Sequence, residues 1–211
     1  IISVSGFYKT FENPIELLLR TGTSGQPELY YNNIARANSF GAEFEYRMNL
    51  GWMNRTDSNS VFSRTTFYTN ASYIRSAADL SQFAGLEEYP SSTRPLQGQS
   101  PYILNVGLFY ESKKDLMINF SYNYVGQRIA ISGSIQEPSV WENGRHVLDF
   151  QIGKTWNDKY ELKLNCADLL AQDLVFFQDI NKNKRYDKGV DSAWQEITFG
   201  QTITLNFKYK F

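Results

Sequence analysis

Apolar and polar side chains alternate along the last ten residues of the chain. The positions on one face of an extended strand are apolar, namely Ile203, Leu205, Phe207, Tyr209 and Phe211. The intervening positions are threonine, asparagine or lysine. A period of two is typical of a β-strand with one apolar and one polar face. Such a long aromatic strand at the end of a sequence favours a transmembrane β-barrel, whose apolar face meets lipid and whose polar face lines the lumen.

The same alternation recurs upstream and predicts about eight antiparallel strands, each near the 9–11 residues that a tilted strand needs to cross a bilayer. The predicted strands are 1–11, 34–48, 64–75, 102–110, 116–126, 146–155, 160–166 and 202–211. Connections of alternating length are typical of outer-membrane barrels, which have short periplasmic turns and long external loops. We therefore expect external loops near 12–33, 76–98, 127–144 and 167–196. Because an open edge in lipid leaves backbone groups unpaired, the strands must close alone or form an arc of a larger wall.

Composition excludes several other classes of protein. The net charge of −1 gives no reason to expect a nucleic-acid partner. The mean hydropathy is −0.43, and no run of about 18 apolar residues predicts a transmembrane helix. The aromatic content of 16% fits the aromatic girdles of a barrel. Cys166 is the only cysteine, so no internal disulfide can form.

The beginning of the sequence predicts a fragment of a longer polypeptide. There is no initiator methionine and no signal peptide, and the chain opens inside a strand-like pattern. We expect it to start partway through a sheet, and we predict that Ile1–Phe11 and Gln201–Phe211 do not pair with each other.

Charged residues on the polar faces of the predicted strands belong in the lumen, because in lipid they would destabilise the barrel. They are Glu43, Glu45, Arg47, Asp149, Glu161 and Lys163. We expect them to form a charge network that holds the wall or a plug, and a transport pathway is the alternative role.

Two features resemble a metal site and a catalytic pair, and the residues argue against both. Residues 179–187 have oxygen-bearing side chains at alternate positions, as calcium loops do. Lys184, however, stands where the calcium loop needs glycine, and Val190 stands where it needs a bidentate glutamate, so we favour a polar external loop. His146 is the only histidine, and alternation places it and Asp149 on opposite faces, which argues against a catalytic pair. We predict no enzyme activity, no cofactor and no metal.

Several polar or aromatic loop residues are expected to be exposed and are candidates for contact with a transported molecule. They are Arg94, Gln97, Arg128, Trp141 and Arg145. Side chains of this kind more often cross-link loops, and we assign none of them to a binding site.

Six short segments carry a resemblance to a known family. They read NSFGAEFE at 38–45, RPLQGQSPY at 94–102, YNYVGQRI at 122–129, RHVLD at 145–149, CADLL at 166–170 and YKF at 209–211. In this order they resemble the barrel of the TonB-dependent outer-membrane receptors of the Bacteroidetes type. A departure is Ala171, where that family usually has asparagine. The resemblance covers nearly the whole chain.

The resemblance implies the C-terminal part of a barrel of about 22 strands, without its plug and its TonB box. It implies energised nutrient import across the bacterial outer membrane. The implied partners are outer-membrane lipid, the rest of the barrel and its plug, the TonB complex, and a surface lipoprotein or other outer-membrane subunits. It also implies that Phe207, Tyr209 and Phe211 form a signal read by the barrel-insertion machinery.

Two alternatives stay open from the sequence. A barrel of this family could serve as a scaffold subunit in a larger outer-membrane complex without importing anything. A self-contained barrel of about eight strands could act as an anchor or an enzyme, and it would require the first strand to pair with the last.

Overall fold

The computed structural model describes residues 1–54, 60–81, 93–134, 137–181 and 183–211. Within these ranges the chain is all β, apart from two short 3₁₀ helices at Leu50–Asn54 and Phe62–Arg64. The strands are β1 (Ile2–Glu12), β2 (Ile15–Thr21), β3 (Pro27–Asn33), β4 (Arg36–Asn49), β5 (Thr65–Asp79), β6 (Thr93–Arg94), β7 (Tyr102–Glu111), β8 (Leu116–Val125), β9 (Arg128–Ile131), β10 (Val140–Glu142), β11 (Arg145–Trp156), β12 (Tyr160–Ala167), β13 (Leu174–Gln178), β14 (Ser192–Ile197) and β15 (Thr202–Tyr209).

Eight of these strands form one continuous antiparallel wall in the order β1-β4-β5-β7-β8-β11-β12-β15, and β6 extends it beside β5. All eight coincide with the predicted strands, which confirms the sequence interpretation. The largest difference is at β5, which continues to Asp79 rather than ending near residue 75.

The register of the wall places apolar side chains side by side on one face. Direct cross-strand partners run in a row that is apolar throughout: Met48, Phe67, Leu108, Phe120, Phe150, Cys166 and Ile203. Because side chains alternate along each strand, every position in this row faces the same way. We call this side the outer face, and the opposite side the inner face.

The two edge strands lie at opposite ends of the wall. β1 pairs with β4 and β15 pairs with β12, and the described residues contain no pairing between β1 and β15. This confirms the prediction for the terminal segments, and the structure is therefore not a closed eight-stranded barrel. No helix in the described part of the chain is long and apolar enough to cross a membrane.

The expected long loops contain strands that the sequence analysis did not predict. β2 and β3 form a hairpin, and the sheet β14-β13-β10-β9 is built from the expected loops at 127–144 and 167–196. In β2 the run Leu17–Leu19 is apolar without alternation, and Leu18 and Leu19 are both buried. A short apolar run without a period of two fits a buried strand and a buried helical segment equally well, so periodicity alone does not assign it.

The buried core lies at the end of the wall that carries these long connections. Ile34, Ala37, Ala78 and Leu80 form the cluster, and Leu96 packs against it. Ala37 and Ala78 point to the inner face and are direct partners. The long connections therefore fold inward over the rim of the wall. Because external loops of outer-membrane barrels are longer than periplasmic turns, this is the external rim.

Candidate functional site: membrane wall and external latch

The outer face exposes apolar side chains that a water-soluble protein would bury. Ile203, Leu205 and Phe207 are each about two-thirds exposed, at 68%, 65% and 66%. Phe120, in the middle of the wall, is 39% exposed, and its neighbour Tyr122 is partly exposed. Continuous apolar surface of this kind marks a binding or membrane-contact face. These side chains are not packed in the core of a water-soluble domain.

The inner face is lined by amide side chains that bond across strands. Asn123 Nδ2 donates to Asn105 Oδ1 at 2.7 Å, and Gln151 donates to Asn165. Such pairs satisfy one another in a polar interior. The inner face is therefore suited to water or to a polar protein surface, as the alternation predicts.

The predicted lumen residues do not form one network. Lys163 Nζ lies 3.3 Å from Glu161 Oε1, and Glu43 accepts a hydrogen bond from Ser5 Oγ at 3.4 Å. Four strands separate β4, which carries Glu43, Glu45 and Arg47, from β12. At about 4.8 Å per strand the two groups stand roughly 24 Å apart. The single-network expectation is therefore wrong, because alternation places side chains on one face without bringing them close, and four predicted strands already lay between the two groups.

A latch at the external rim joins three segments through the side chain of Gln97. Its Oε1 accepts from Leu17 N at 2.8 Å, and its Nε2 donates to the carbonyl oxygens of Leu17 at 2.9 Å and Ala130 at 2.7 Å. The amide pairs with Leu17 as a strand neighbour's backbone would. Gln97 thereby ties the β2–β3 hairpin to the segment before β7 and to β9.

A buried ion pair supports the latch. The Arg94 guanidinium binds the Glu16 carboxylate, and their side chains are only 12% and 3% exposed. Glu16 Oε1 also accepts from Gln97 N at 3.1 Å. Removing one partner of such a pair leaves a buried charge without compensation, which is strongly destabilising. The expectation that Arg94 and Gln97 are exposed loop residues is therefore corrected: both have structural contacts inside the loop assembly.

Backbone contacts complete the latch. Leu19 N donates to Ser132 O at 2.7 Å, and Ser132 N donates to Leu17 O at 3.1 Å. Ser100 Oγ lies 2.8 Å from the carbonyl oxygens of both Tyr102 and Gly126. The segment read as RPLQGQSPY is thus the place where the external loops attach to the wall.

A second anchor holds the last external connection to β11. Arg145 binds the Asp168 carboxylate and donates from Nε to the Gln172 carbonyl at 3.0 Å. Asp168 N donates to Asp149 Oδ1 at 2.8 Å, and His146 N donates to Gln172 Oε1 at 2.8 Å. Asp149, one of the predicted lumen charges, is therefore used as a loop anchor.

The remaining candidate residues lie near the rim of the wall. His146 is on the outer face, where its Nδ1 lies 2.6 Å from Tyr122 Oη and its ring stacks on Tyr124. This separates it from Asp149 on the inner face. Arg128 forms a bidentate pair with Glu142 at 2.8 Å. Arg128 and Trp141 both line a notch at the rim.

In the described part of segment 179–191, the carboxylate oxygens accept hydrogen bonds from backbone N–H groups and asparagine side chains of the same segment. Asp179 accepts from the backbone N–H groups of Asn183 and Lys184. Asp187 accepts from the side chains of Asn181 and then Asn183, and these hydrogen bonds lower the pKa of Asp187. Among the described residues no group of three His, Cys, Asp or Glu side chains could hold a metal ion.

The residues of the expected assembly signal lie at the short-turn end of the wall. Phe207 and Tyr209 are on the outer face of β15, and Tyr209 contacts Tyr160 with ring centroids 5.1 Å apart. Phe211 follows the strand and contacts only the Tyr209 ring among the aromatic contacts of the described residues, at 5.0 Å. The three side chains stay available to a partner.

Comparison with known proteins identifies the wall. Residues 1–169 match the family described as "TonB dependent receptor-like, beta-barrel". Among solved structures, the copper transporter OprC matches with a TM-score of 0.59 at 15% identity, and the alignment covers 100% of this chain and 28% of that one. A G324V mutant of the ferric enterobactin receptor PfeA from Pseudomonas aeruginosa matches with a TM-score of 0.58 at 13% identity, covering 100% of this chain and 29% of that one.

These two likenesses show the fold alone, and the chain spans under a third of the length of both structures. None of the curated proteins matches it in sequence. The family match covers most of the chain and agrees with the apolar outer face, the polar inner face and the unequal connections. The chain therefore belongs to the TonB-dependent receptor-like β-barrel family, a family of outer-membrane transport proteins of Gram-negative bacteria rather than enzymes.

Proposed function

We propose that this chain is the C-terminal part of the barrel wall of a Bacteroidetes-type TonB-dependent receptor that imports a nutrient such as a siderophore, a saccharide or a peptide. The observation that carries the proposal is an eight-stranded wall with an apolar outer face, a polar inner face and two edge strands at opposite ends. An unpaired strand edge in lipid costs several kcal/mol. Further strands of the same polypeptide would satisfy both edges in a closed barrel of about 22 strands.

The inner face supports a plug inside that barrel. The rows of asparagine and glutamine on β7, β8, β11 and β12 offer donors and acceptors without net charge. Such a surface can bind a folded polar domain and release it with little electrostatic cost, because few ion pairs must be broken. This property suits a plug that moves when TonB pulls on it.

The external rim supports a role in recognition. The latch and the second anchor hold the external sheet and the β2–β3 hairpin in defined positions above the wall. A pre-organised surface loses less entropy on binding than free loops do. A transported molecule or a surface lipoprotein would bind there.

The terminal aromatic residues support recognition by the barrel-insertion machinery. Phe207, Tyr209 and Phe211 lie at the edge strand and are partly or fully exposed. An added strand can pair with the free edge of β15 while pockets accept its alternate side chains.

Import is tested in the native host with the complete protein. A strain with an in-frame deletion is compared with the same strain complemented in the presence and in the absence of TonB. Depletion of metal–siderophore complexes, oligosaccharides and peptides from the medium is measured for each strain. We expect one nutrient class to be depleted only when both the complete protein and TonB are present.

The same experiment separates import from a scaffold role. Heat-modifiable migration of the complete protein shows that the barrel is folded in every complemented strain. If no nutrient class depends on the protein, and other outer-membrane subunits are lost when it is deleted, the scaffold interpretation replaces import.

A further inference from the structure

A notch opens in the wall at its external end, beside β5. β7 pairs with β5 up to the partners Tyr73 and Tyr102, and β6 pairs with Ala78 and Asp79. Ile74 N still donates to Pro101 O at 2.9 Å, and residues 75–77 lie between the two ladders, where the chain before β7 folds away from the wall. The resulting cavity has a volume of about 800 Å³.

The notch is positively charged. Its described lining contains no aspartate or glutamate and has the cationic side chains Arg75, Arg94, Arg128 and Lys184. Arg94 and Arg128 are neutralised by their pairs with Glu16 and Glu142. No described residue forms an ion pair with Arg75 or Lys184. Two cations that have no ion pair with any described residue therefore face a cavity that can hold an anionic group.

An apolar groove continues directly below the notch on the outer face. The groove has a volume of about 550 Å³ and shares Tyr73, Tyr102 and Tyr124 with the notch. Its other outer-face residues include Val4, Phe44 and Leu104. A cationic cavity above an apolar groove matches the two parts of one molecule, an anionic headgroup and a hydrocarbon chain.

The height of the notch matches the level of lipid headgroups. From Thr65, at the start of β5, to Arg75 the strand advances about ten steps of 3.4 Å, and with a tilt of about 40° this gives a rise of roughly 26 Å. The apolar band of an outer-membrane barrel is about 25 Å tall. Arg75 therefore lies where hydrocarbon ends and phosphate begins.

We propose that this notch binds the phosphate-bearing headgroup of an anionic lipid in the outer leaflet, with Arg75 and Lys184 as its cationic ligands. One acyl chain lies in the groove below, against Tyr73, Tyr102 and Tyr124. The site depends on the location of the wall in the outer membrane and is independent of what the barrel imports.

The test uses the complete receptor, purified in neutral detergent, and the binding of lipid A carrying two phosphates. The variant R75Q/K184Q removes the positive charges of both proposed ligands. The matched control R47Q/K208Q also removes one arginine charge and one lysine charge, but from the inner face. At about fivefold for each cation near an anionic lipid, we expect roughly thirtyfold weaker binding by the first variant and less than about twofold change in the control.

Three further measurements separate loss of the site from loss of folding and from general lipid binding. The single variants R75Q and K184Q are each expected to lose roughly fivefold, and heat-modifiable migration verifies that all variants are folded. Lipid A stripped of both phosphates should bind to the wild-type receptor as weakly as the phosphorylated lipid binds to the double variant. Equal losses in R75Q/K184Q and R47Q/K208Q, equal binding of the two lipids, or displacement of the lipid by inorganic phosphate would each overturn the proposal.

Discussion

The external latch gives a quantitative prediction for Gln97→Ala. The Gln97 amide forms three hydrogen bonds with two other segments: one from Leu17 N, one to Leu17 O and one to Ala130 O. Alanine removes all three and leaves the backbone of the latch in place. The substitution should therefore favour detachment of the β2–β3 hairpin from the rim and leave the wall unchanged.

The magnitude follows from the net contribution of each hydrogen bond. At about 1 kcal/mol for each bond, the loss is about 3 kcal/mol of local stability. This corresponds to an increase of about 150-fold in the ratio of detached to attached hairpin. The ion pair between Arg94 and Glu16 and the contacts of Ser132 remain, so the hairpin should stay attached for most of the time.

Hydrogen–deuterium exchange of the complete receptor measures this ratio. Amide exchange at Leu19, whose N–H donates to Ser132 O, should accelerate about 150-fold, since exchange follows the population of the open form. Exchange in β11 should not change. Gln99→Ala is the matched control, because among the described residues the Gln99 side chain bonds only to the adjacent Ser100 carbonyl, at 3.1 Å. Its effect should stay below about fivefold.

Each of three results would refute this reasoning. Wild-type exchange rates in Gln97→Ala would mean that the amide does not hold the hairpin. The same acceleration in Gln99→Ala would mean that any change in this segment loosens it. Faster exchange in β11 would mean that Gln97 contributes to the stability of the whole wall.

Three other substitutions test separate parts of the structure. Glu16→Gln leaves the buried Arg94 guanidinium without its partner and should weaken the latch by about 3 kcal/mol, which is measured as faster trypsin cleavage in the β2–β3 hairpin. The control Glu28→Gln removes an exposed pair and should have less than about a third of that effect. Gly107→Ala places a Cβ 2.6 Å from Tyr68 Cε1 and should lower the heat-modifiable fraction, whereas Gly153→Ala has its nearest atom at 3.5 Å and should not. Deleting Phe211 should lower the amount of folded barrel in outer membranes, and unchanged levels would contradict an assembly signal.

The wall could be predicted from the sequence because each of its strands obeys a period of two. In β4 the apolar set that includes Phe40 and Phe44 alternates with Glu43 and Glu45, and in β8 Phe120 alternates with Asn119 and Ser121. A strand that meets lipid on one face and a wet interior on the other must alternate over its full length. The sequence signal is therefore a direct consequence of the environment of the wall.

The loop structure could not be predicted in the same way. β9, β10 and β13 have three to five residues each, and no lipid face imposes a period on them. Gln97 gave no signal because its three bonds are made to residues 33 and 80 positions away. The lumen network failed for a different reason: Glu43 and Glu161 share the inner face, but the four strands predicted between them keep them far apart.

The latch explains why one segment that resembles the family, RPLQGQSPY at 94–102, lies where it does. Within the wall, every backbone group finds its partner in the neighbouring strand, so many apolar or polar residues fit a given position. At the external rim, backbone groups of Leu17 in β2, Ala130 in β9 and Gly126 after β8 bond to side chains instead. Gln97 supplies a substitute for a strand's amide and carbonyl, Ser100 bridges two carbonyls, and Arg94 neutralises Glu16 in the same junction. Only a few residue types satisfy these requirements, so the segment 94–102 has chemical constraints that a position inside the wall lacks.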